Sequence, residues 1–394
     1  MIEKINKKVL ISYIFVAIYW FSFYSYGSTL PTHAYNIGAN DAMIGLIVGS
    51  YGFAQMIFRI PVGLLSDRYN KRKLFMGIGI LLSTISSLGL GFSKTPELLL
   101  LFRTLSGIAV ASWVVFLGYF TNTLRETNLH KITGRLSAMG KSGRMVALVF
   151  GSLIAFLINS YWSFFIGGIM GFIGIVVWMK MPKDLLRQNK NKVTTKELFM
   201  VIKNKDLLIS SFLTALFQFA VFATVYSFIP IYAKTLGLND FMIGILTAVF
   251  TLTGIISAVL SGAYLKKYLG VRNTVIISFF ASGIIYLIMP YINSVILLFI
   301  AQLFSGFFMG MVLPMLMAQS LKTIEENKVS TAMGFFQAIY GLGMFFGPYV
   351  VGIVIEKSTI KSGFLLVFAI CLLASILTYI YKRSDKKNER LASN

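Results

Sequence analysis

The chain has 394 residues, of which 57% are hydrophobic and 13% charged, and its formal net charge is +22. Soluble globular proteins carry about 25% charged residues, so this composition is far from theirs. The single cysteine, Cys371, excludes an internal disulfide. We therefore expect lipid to surround most of the chain, in helices of ~20 mostly apolar residues that cross ~30 Å of hydrocarbon.

Twelve apolar stretches of sufficient length follow one another along the chain, separated by polar breaks. The first is preceded by Lys4, Lys7 and Lys8, but it is too long for a signal peptide and lacks a small-residue cleavage pattern, so we expect a retained helix. The sequence thus predicts an all-α membrane protein with twelve transmembrane helices. The predicted spans are residues 9–30, 41–64, 74–93, 97–121, 135–158, 162–181, 207–233, 240–263, 273–291, 294–320, 331–355 and 361–381.

Most of the 36 lysines and arginines fall at the two termini or in the loops that an even number of crossings places beside them. Only Lys94, Lys234, Lys357 and Lys361 fall on the opposite side. This asymmetry follows the positive-inside rule and predicts a multi-pass protein of the cytoplasmic (inner) cell membrane with both termini in the cytoplasm. Because the basic residues do not gather on one folded face, we expect the lipid bilayer as a partner and no nucleic acid.

An internal repeat relates the first half of the chain to the second. Pro31 and Asp41 recur as Pro230 and Asp240, and further matches downstream keep a nearly constant offset. Six spans per half give both halves the same orientation, as two parallel six-helix repeats, which indicates a carrier that works by alternating access around a central site. The predicted domains are an amino-terminal bundle over residues 1–181, a cytoplasmic linker over 182–206 and a carboxy-terminal bundle over 207–394. Within the linker, residues 194–202 are either a short amphipathic helix along the cytoplasmic face or a solvated run of charges.

The loop after the second span reads GLLSDRYNKRK from Gly63 onward. It resembles the signature loop of the major facilitator superfamily of membrane carriers, except that the family usually has glycine where Asn70 stands. The resemblance implies a cytoplasmic gate, in which Gly63 permits close helix approach and Asp67, Arg68 and Arg72 form a charge network that breaks in one state. The alternative is that the basic residues only enforce topology. Asparagine tolerates a left-handed turn better than most residues, so the motif survives the exchange at Asn70.

Two further motifs resemble those of proton-coupled antiporters in the same family. Arg103 in the fourth span stands in the family's arginine motif, which is associated with coupling. The Gly-Pro helix motif belongs in the fifth span, where this chain lacks it, and its echo appears in span eleven as Gly343, Gly347 and Pro348. The resemblance implies efflux by antiport, and it assigns the three residues of span eleven to gating.

We place three cations inside the membrane, namely Arg103, Lys141 and Arg144. A lone cation at the bilayer centre costs ~2.5 to 3.5 kcal/mol, so such residues face water, a partner or a substrate. All 14 acidic residues fall at span ends, in loops or in tails, and Glu97 is the nearest candidate partner of Arg103. We hypothesise that the three cations line a water-filled cavity and attract an anionic or electron-rich substrate. A structural ion pair is the alternative.

The family resemblance also implies that the first, fourth, seventh and tenth spans line the cavity. It nominates Tyr19, Phe23 and Tyr26, on one helical face of the first span, as substrate contacts. The repeat adds Gln218 and Gln302, which are the counterparts of Tyr19 and of the arginine in the fourth span. Packing is the alternative role for each aromatic residue, because Phe and Tyr are abundant throughout the chain.

We expect a secondary active transporter that exports a small organic molecule in exchange for protons, as a monomer without a cofactor. Two histidines and one cysteine give no metal cluster, and the sequence has no nucleotide-binding glycine loop, so we expect neither an enzyme nor an ATP-driven pump. Proton coupling would have to use His33, Asp67 or the substrate itself, because no carboxylate is predicted at mid-depth. The alternatives are a facilitator or exchanger of an organic anion, and a non-transporting membrane sensor on the same fold.

Overall fold

The computed structural model describes residues 7–123, 129–184, 203–325 and 328–392, and these residues form helices and short connections without a β-strand. Eleven helical segments of the described residues are long and apolar enough to cross a membrane, and a shorter apolar segment, Val9–Tyr24, precedes them. The prediction of an all-α membrane fold is therefore confirmed. The short helix predicted near residues 194–202 lies outside the described residues.

The first half of the chain contains eight helices in its described residues, and they range from 7 to 29 residues in length. Its helices are α1 (Lys7–Tyr24), α2 (Leu30–Asn36), α3 (Asp41–Tyr69), α4 (Arg72–Phe92), α5 (Pro96–Ala111), α6 (Val114–Thr123), α7 (Leu129–Leu157) and α8 (Ser160–Lys180).

The second half follows the same order, except that one helix, α13 (Val295–Ser320), stands where the first half has α5 and α6. Its helices are α9 (Lys205–Ala223), α10 (Ile229–Thr235), α11 (Asp240–Leu260), α12 (Gly270–Ile288), α13 (Val295–Ser320), α14 (Val329–Lys357) and α15 (Ile360–Ala392). Two π-helical turns, Thr224–Phe228 and Ser261–Leu265, follow α9 and α11, and the latter leads into a last turn, Lys266–Tyr268.

Contacts between α-carbons divide the chain into two compact units. Unit 1 comprises residues 1–39, 50–193 and 238–248, and unit 2 comprises residues 40–49, 194–237 and 249–394. The first turns of α3 are thus grouped with unit 2 and the first turns of α11 with unit 1. The domain boundaries proposed from the sequence stay a prediction.

The first span of each half is interrupted before a proline, although each was predicted as one continuous segment. The chain leaves the helical ladder between Tyr24 and Leu30, just before Pro31, and it forms a π-helical turn just before Pro230 in α10. Proline has no N–H to donate and its ring crowds the carbonyl four residues earlier. Because the two prolines are repeat partners, the same cause interrupts the same helix in both halves.

The fourth predicted span, residues 97–121, is also two helices, which meet at Ser112. The Ala109 carbonyl accepts from the Ser112 hydroxyl at 2.9 Å and from the Tyr19 hydroxyl at 3.1 Å. The Trp113 N–H then bonds to the carbonyl three residues back, at 3.0 Å, instead of four. The side-chain bonds at this carbonyl accompany a tightened turn that ends α5 and restarts the chain as α6.

Glycines let helices within each unit touch backbone to backbone. A side-chain carbon at Gly143 of α7 would overlap the carbonyl of Ala17 in α1, and one at Gly343 of α14 would overlap the carbonyl of Ala215 in α9. Close approach through small residues is the usual way in which transmembrane helices pack. Gly143 and Gly343 are repeat partners, so both units join their first and fifth spans in the same way.

Candidate functional site

The first intramembrane cation, Arg144 of α7, lies against two aromatic rings of α1. Its guanidinium carbon Cζ is 3.5 Å from the centroid of the Trp20 ring and 4.9 Å from that of Tyr24. Space for the indole comes from Gly140, where a side-chain carbon would sit 2.9 Å from a Trp20 ring atom. A cation over an aromatic face is stabilised by the quadrupole of the ring, and more strongly where water is excluded.

The second cation, Arg103 of α5, makes the same kind of contact with other rings. Its Cζ lies 4.3 Å from the centroid of Tyr51 in α3 and 5.8 Å from that of Tyr26. The side chain is only 7% exposed, and among the described residues it makes one hydrogen-bond contact, from Nη1 to Ser106 Oγ, which is long at 3.5 Å. Gly107 brings α5 close to α3, because a side-chain carbon there would lie 2.5 Å from the Tyr51 carbonyl oxygen.

Tyr51 connects the two cations. Its hydroxyl interacts electrostatically with both Arg103 and Arg144, which come from different helices of unit 1. The fold therefore brings together residues that are far apart in the sequence into one group, which we call the cation–aromatic site: Trp20, Tyr24, Tyr26, Tyr51, Arg103 and Arg144.

Four buried polar atoms of this site have no hydrogen-bond partner among the described residues. They are Nε1 of Trp20, the hydroxyl of Tyr26, and Nε of both Arg103 and Arg144. A buried donor without an acceptor costs about 1–3 kcal/mol, so each such atom needs an explanation. All four can donate, and three of them can only donate. The site therefore has an excess of donors that an acceptor-rich molecule would satisfy.

No carboxylate neutralises the site within the described part of the chain. Neither Arg103 nor Arg144 forms an ion pair there, and Glu97 is exposed in the first turn of α5. Lys141 is half-buried in α7, and its electrostatic neighbour is Arg144, a like charge. The described residues also contain no group of acidic, histidine or cysteine side chains that could hold a metal ion.

Two of the nominated contacts on α1 are occupied by packing. The hydroxyl of Tyr19 is bonded to the Ala109 carbonyl and to Ser112 Oγ at 3.0 Å, and its side chain is fully buried. Phe23 is also buried, with its ring centroid 5.0 Å from that of Tyr19. Of the three aromatics nominated on this face, Tyr26 is the one that the structure places against a cation.

Arg59 of α3 is a further buried cation, which was not among the residues predicted from the sequence. Its side chain is 2% exposed, its Nη2 donates to Gln55 Oε1 at 2.9 Å, and its charge acts on the hydroxyl of Tyr19. Arg59 lies within the predicted span 41–64, and that position was the available signal.

The two glutamines nominated from the repeat belong to unit 2. Gln302 of α13 is fully buried, and both atoms of its amide lack a partner among the described residues. One turn further on, Ser305 donates to the hydroxyl of Tyr286 at 3.1 Å. Gln218 of α9 is half-buried. Unit 2 thus has a buried polar amide where unit 1 has Arg103, and it lacks the positive charge.

The signature loop has the expected left-handed turn, but it lacks the expected close approach between helices. Asn70 adopts φ of +51°, the left-handed conformation that glycine would favour. A side-chain carbon at Gly63 would lie 3.6 Å from Val114, which is an ordinary contact, so the close helix approach expected at Gly63 is absent from this structure. The side chain of Asp67 lies outside the described part of the structure.

The remaining gate candidates differ in their environment. Arg68 is exposed, whereas Arg72 is buried beside Gly118, where a side-chain carbon would lie 2.7 Å from Nε of the arginine. In span eleven, Gly347 packs on α9 next to Gly343, and the carbonyl of Pro348 lies against Gly45 within unit 2. These contacts pack α14 against α9 and against the first turns of α3 within unit 2.

Comparison with known proteins places the fold in a family. The sequence matches the profile of the Major Facilitator Superfamily over residues 12–268 and 211–394. It is 26% identical over 362 residues to an uncharacterized MFS-type transporter of Methanocaldococcus jannaschii, covering 89% of this chain and 92% of that protein. It is 23% identical over 348 residues to the multi-drug resistance efflux pump PmrA of Streptococcus pneumoniae, covering 84% of this chain and 86% of the pump.

Among solved structures, a bacterial homologue of the human lysosomal transporter Spinster has a TM-score of 0.80 at 15% identity, and the match covers 98% of this chain and 99% of that one. Structural likeness at such low identity shows the fold alone. The family profile, in contrast, matches nearly the whole sequence. The chain therefore belongs to the Major Facilitator Superfamily and is a multi-pass membrane transporter, not an enzyme.

Proposed function

We propose that this transporter exports a small organic molecule from the cell by alternating access, in exchange for protons. It acts as a monomer in the cytoplasmic membrane, with both termini in the cytoplasm. The observation that carries the proposal is the cation–aromatic site, a set of positive charges and buried, unmatched donors inside a membrane protein. The similarity to a multi-drug resistance efflux pump favours export over uptake.

The free-energy cost of placing these cations inside the membrane supports a role of the site in binding. Each cation inside a membrane costs several kcal/mol, and a structural role would be expected to offset that cost with a carboxylate. Arg103 and Arg144 have aromatic rings instead, and these supply only ~0.5 to 2 kcal/mol each. A transported molecule that is anionic or rich in electrons would supply the missing acceptors each time it binds.

Facilitated diffusion or exchange of an organic anion is the second candidate. It is favoured by the lack of any carboxylate in contact with the two arginines within the described residues. Proton antiport on this chain would have to work through a peripheral group such as His33, which is buried with Nδ1 at 3.2 Å from Ser160 Oγ, or through the substrate. An exchanger needs no such group.

Reconstitution into liposomes with an imposed pH gradient separates the two candidates. Antiport predicts that at least one compound from a panel of anions, neutral molecules and cations discharges the gradient faster than in protein-free vesicles. Exchange predicts that a labelled anion moves against unlabelled anion while the gradient persists. Transport that is unchanged in Arg103→Ala and in Arg144→Ala would remove the site from the mechanism.

A further inference from the structure

A recess opens at one end of unit 2, where four helices of that unit come together. Its walls come from the first turns of α9 and α12, the last turns of α13, and the end of the membrane-spanning part of α15. The buried part of the wall is mostly apolar and includes Leu213, Val275 and Leu316. The carboxy terminus leaves the membrane at this end, so the recess faces the cytoplasm in the proposed orientation.

The mouth of the recess carries a cation, Arg272 of α12. This side chain is half-buried and is held on α15, because its Nη2 donates to the Tyr379 carbonyl at 2.7 Å and its Cζ lies 4.7 Å from the centroid of the Tyr379 ring. Among the described residues, that carbonyl is the one hydrogen-bond acceptor of the guanidinium, and Nε is buried without an acceptor. Arg272 is therefore fixed in position with N–H groups left over for an anion.

The other charges near the mouth leave an excess of positive charge. Gln319 and Tyr381, which also line the recess, both donate to Oδ1 of Asp206, at 2.8 Å and 3.1 Å, so this carboxylate is already engaged. At the same end of the unit, Glu325 is paired with Lys328 at 2.9 Å. Three further lysines at this end are exposed: Lys203, Lys205 and Lys322.

The recess lies beside a surface that faces acyl chains. Leu208 and Phe212 of α9 are 41% and 50% exposed, and Ile376 and Ile380 of α15 are 47% and 58% exposed. Exposed apolar side chains on membrane-spanning helices are in contact with lipid. Tyr379 is exposed at the same level, as tyrosines commonly are where acyl chains give way to head groups. The mouth of the recess is therefore within reach of both parts of a lipid.

We propose that this recess is a binding site for an anionic phospholipid. The phosphate oxygens accept hydrogen bonds from Arg272, and one acyl chain enters the apolar part between α9, α12 and α13. Arginine is well suited to phosphate, and basic pockets between transmembrane helices on the cytoplasmic side bind acidic head groups. The site goes beyond the proposed function, because the lipid is not the transported molecule and the cation–aromatic site belongs to unit 1.

The inference is tested by lipid binding to the purified full-length chain in detergent. The probe is phosphatidylglycerol, and its binding is followed by native mass spectrometry and by the rise in unfolding temperature that a ligand of the folded state causes. Phosphatidylcholine with the same acyl chains keeps the phosphate but has no net charge. We expect phosphatidylglycerol to bind about tenfold more tightly, since each nearby Lys or Arg contributes about 1 kcal/mol toward an anionic head group.

Two variants test the two parts of the recess separately. Arg272→Gln removes the charge from the mouth and should weaken phosphatidylglycerol binding by about tenfold. Ile209→Trp enlarges a half-exposed side chain that lines the recess and keeps every charge, so it should weaken the binding of both phospholipids. Lys361→Gln is the matched control, because Lys361 also lies over a ring, 4.5 Å from the centroid of Tyr291, but at the opposite end of α15. It should bind both lipids as the wild type does.

Each outcome decides the inference. Equal affinity for the two phospholipids, or unchanged binding of phosphatidylglycerol in Arg272→Gln, overturns it. Unchanged binding in Ile209→Trp shows that the acyl chain does not enter the recess and also overturns it. Displacement of the lipid by glycerol phosphate, which has the charge without the acyl chains, indicates a phosphate site instead. Thermal unfolding without lipid verifies that each variant is folded, and if one variant does not fold, the other still decides. The pH-gradient assay is independent of these results, so transport is tested separately.

Discussion

Asn40 donates a hydrogen bond from Nδ2 to Oε1 of Glu356 at 2.9 Å, which joins residues 316 positions apart in the sequence. The other carboxylate oxygen accepts from the backbone N–H of Ala42 at 3.1 Å, and Asn40 Oδ1 accepts from the N–H of Met43 at 2.8 Å. The first N–H groups of a helix have no partner within it, and here a side chain from the end of α14 supplies one. Within unit 2, this bond fixes where α3 begins.

Glu356→Ala should lower the stability of the protein by about 1 kcal/mol, the usual cost of losing a helix cap. Glu356→Gln should retain part of the effect, because its amide oxygen can still accept one bond. The measurement is the midpoint of thermal unfolding in detergent. Glu325→Ala is the control, since Glu325 pairs at 2.9 Å with Lys328 at the surface, where an ion pair is worth little. Equal shifts in both alanine variants would contradict the capping role.

The glycine contacts predict paired effects in the two units. Gly143→Ala and Gly343→Ala each place a methyl group onto a neighbouring carbonyl, and overpacking of this kind costs about 1–3 kcal/mol. Each helix offers its own control, because Gly134 in α7 and Gly334 in α14 have nothing within 4 Å of an added side-chain carbon. Alanine at these two positions should leave the unfolding temperature unchanged or raise it. A loss at the controls as large as at the contact positions would refute the packing argument.

The fold was largely predictable because lipid imposes one strong constraint on length and polarity. The spans follow from the apolar stretches of the sequence. The repeat also shows that Gly143 and Gly343 occupy equivalent positions in the two halves, before any contact is known. The interruptions were not predicted, because a hydropathy window does not register the missing N–H of Pro31 and Pro230. The break at Ser112 depends on a hydroxyl from another helix, which no local pattern reveals.

The site was predictable only in part. Helical spacing placed Tyr26 on one face of the first span, and the cost of burial singled out Arg103 and Arg144. Which ring each guanidinium touches depends on how α1, α3, α5 and α7 pack, and this is a property of the tertiary structure. Tyr51 and Trp20 gave no signal in a sequence so rich in aromatic residues, because packing accounts equally well for any one of them.

The left-handed conformation of Asn70 in the signature loop can be tested by measuring the stability of variants. At φ of +51°, asparagine is tolerated, glycine is unstrained, and alanine costs about 1 kcal/mol or more. Asn70→Gly should therefore keep the wild-type unfolding temperature, and Asn70→Ala should lower it by a few degrees. Asn159→Ala offers no substitute as a control, since Asn159 caps α8. Asn293→Ala is suitable, because Asn293 is not among the residues with positive φ. An unchanged temperature in Asn70→Ala would show that the turn relaxes.

The contact between Arg103 and Tyr51 predicts that transport depends more on the planar shape of the guanidinium than on its charge. Arg103→Lys keeps a positive charge but not a planar group on the Tyr51 ring, so we expect the initial rate of substrate-driven discharge of a pH gradient to fall several-fold, in line with ~0.5 to 2 kcal/mol. Tyr51→Phe keeps the ring and should retain most of the rate, whereas Tyr51→Ala should behave like Arg103→Lys. Lys361→Ala removes a contact 4.5 Å from the Tyr291 ring at an exposed helix start and should have no effect. If Arg103→Lys transports at the wild-type rate while Tyr51→Ala does not, the ring acts on its own and Arg103 serves only as a charge.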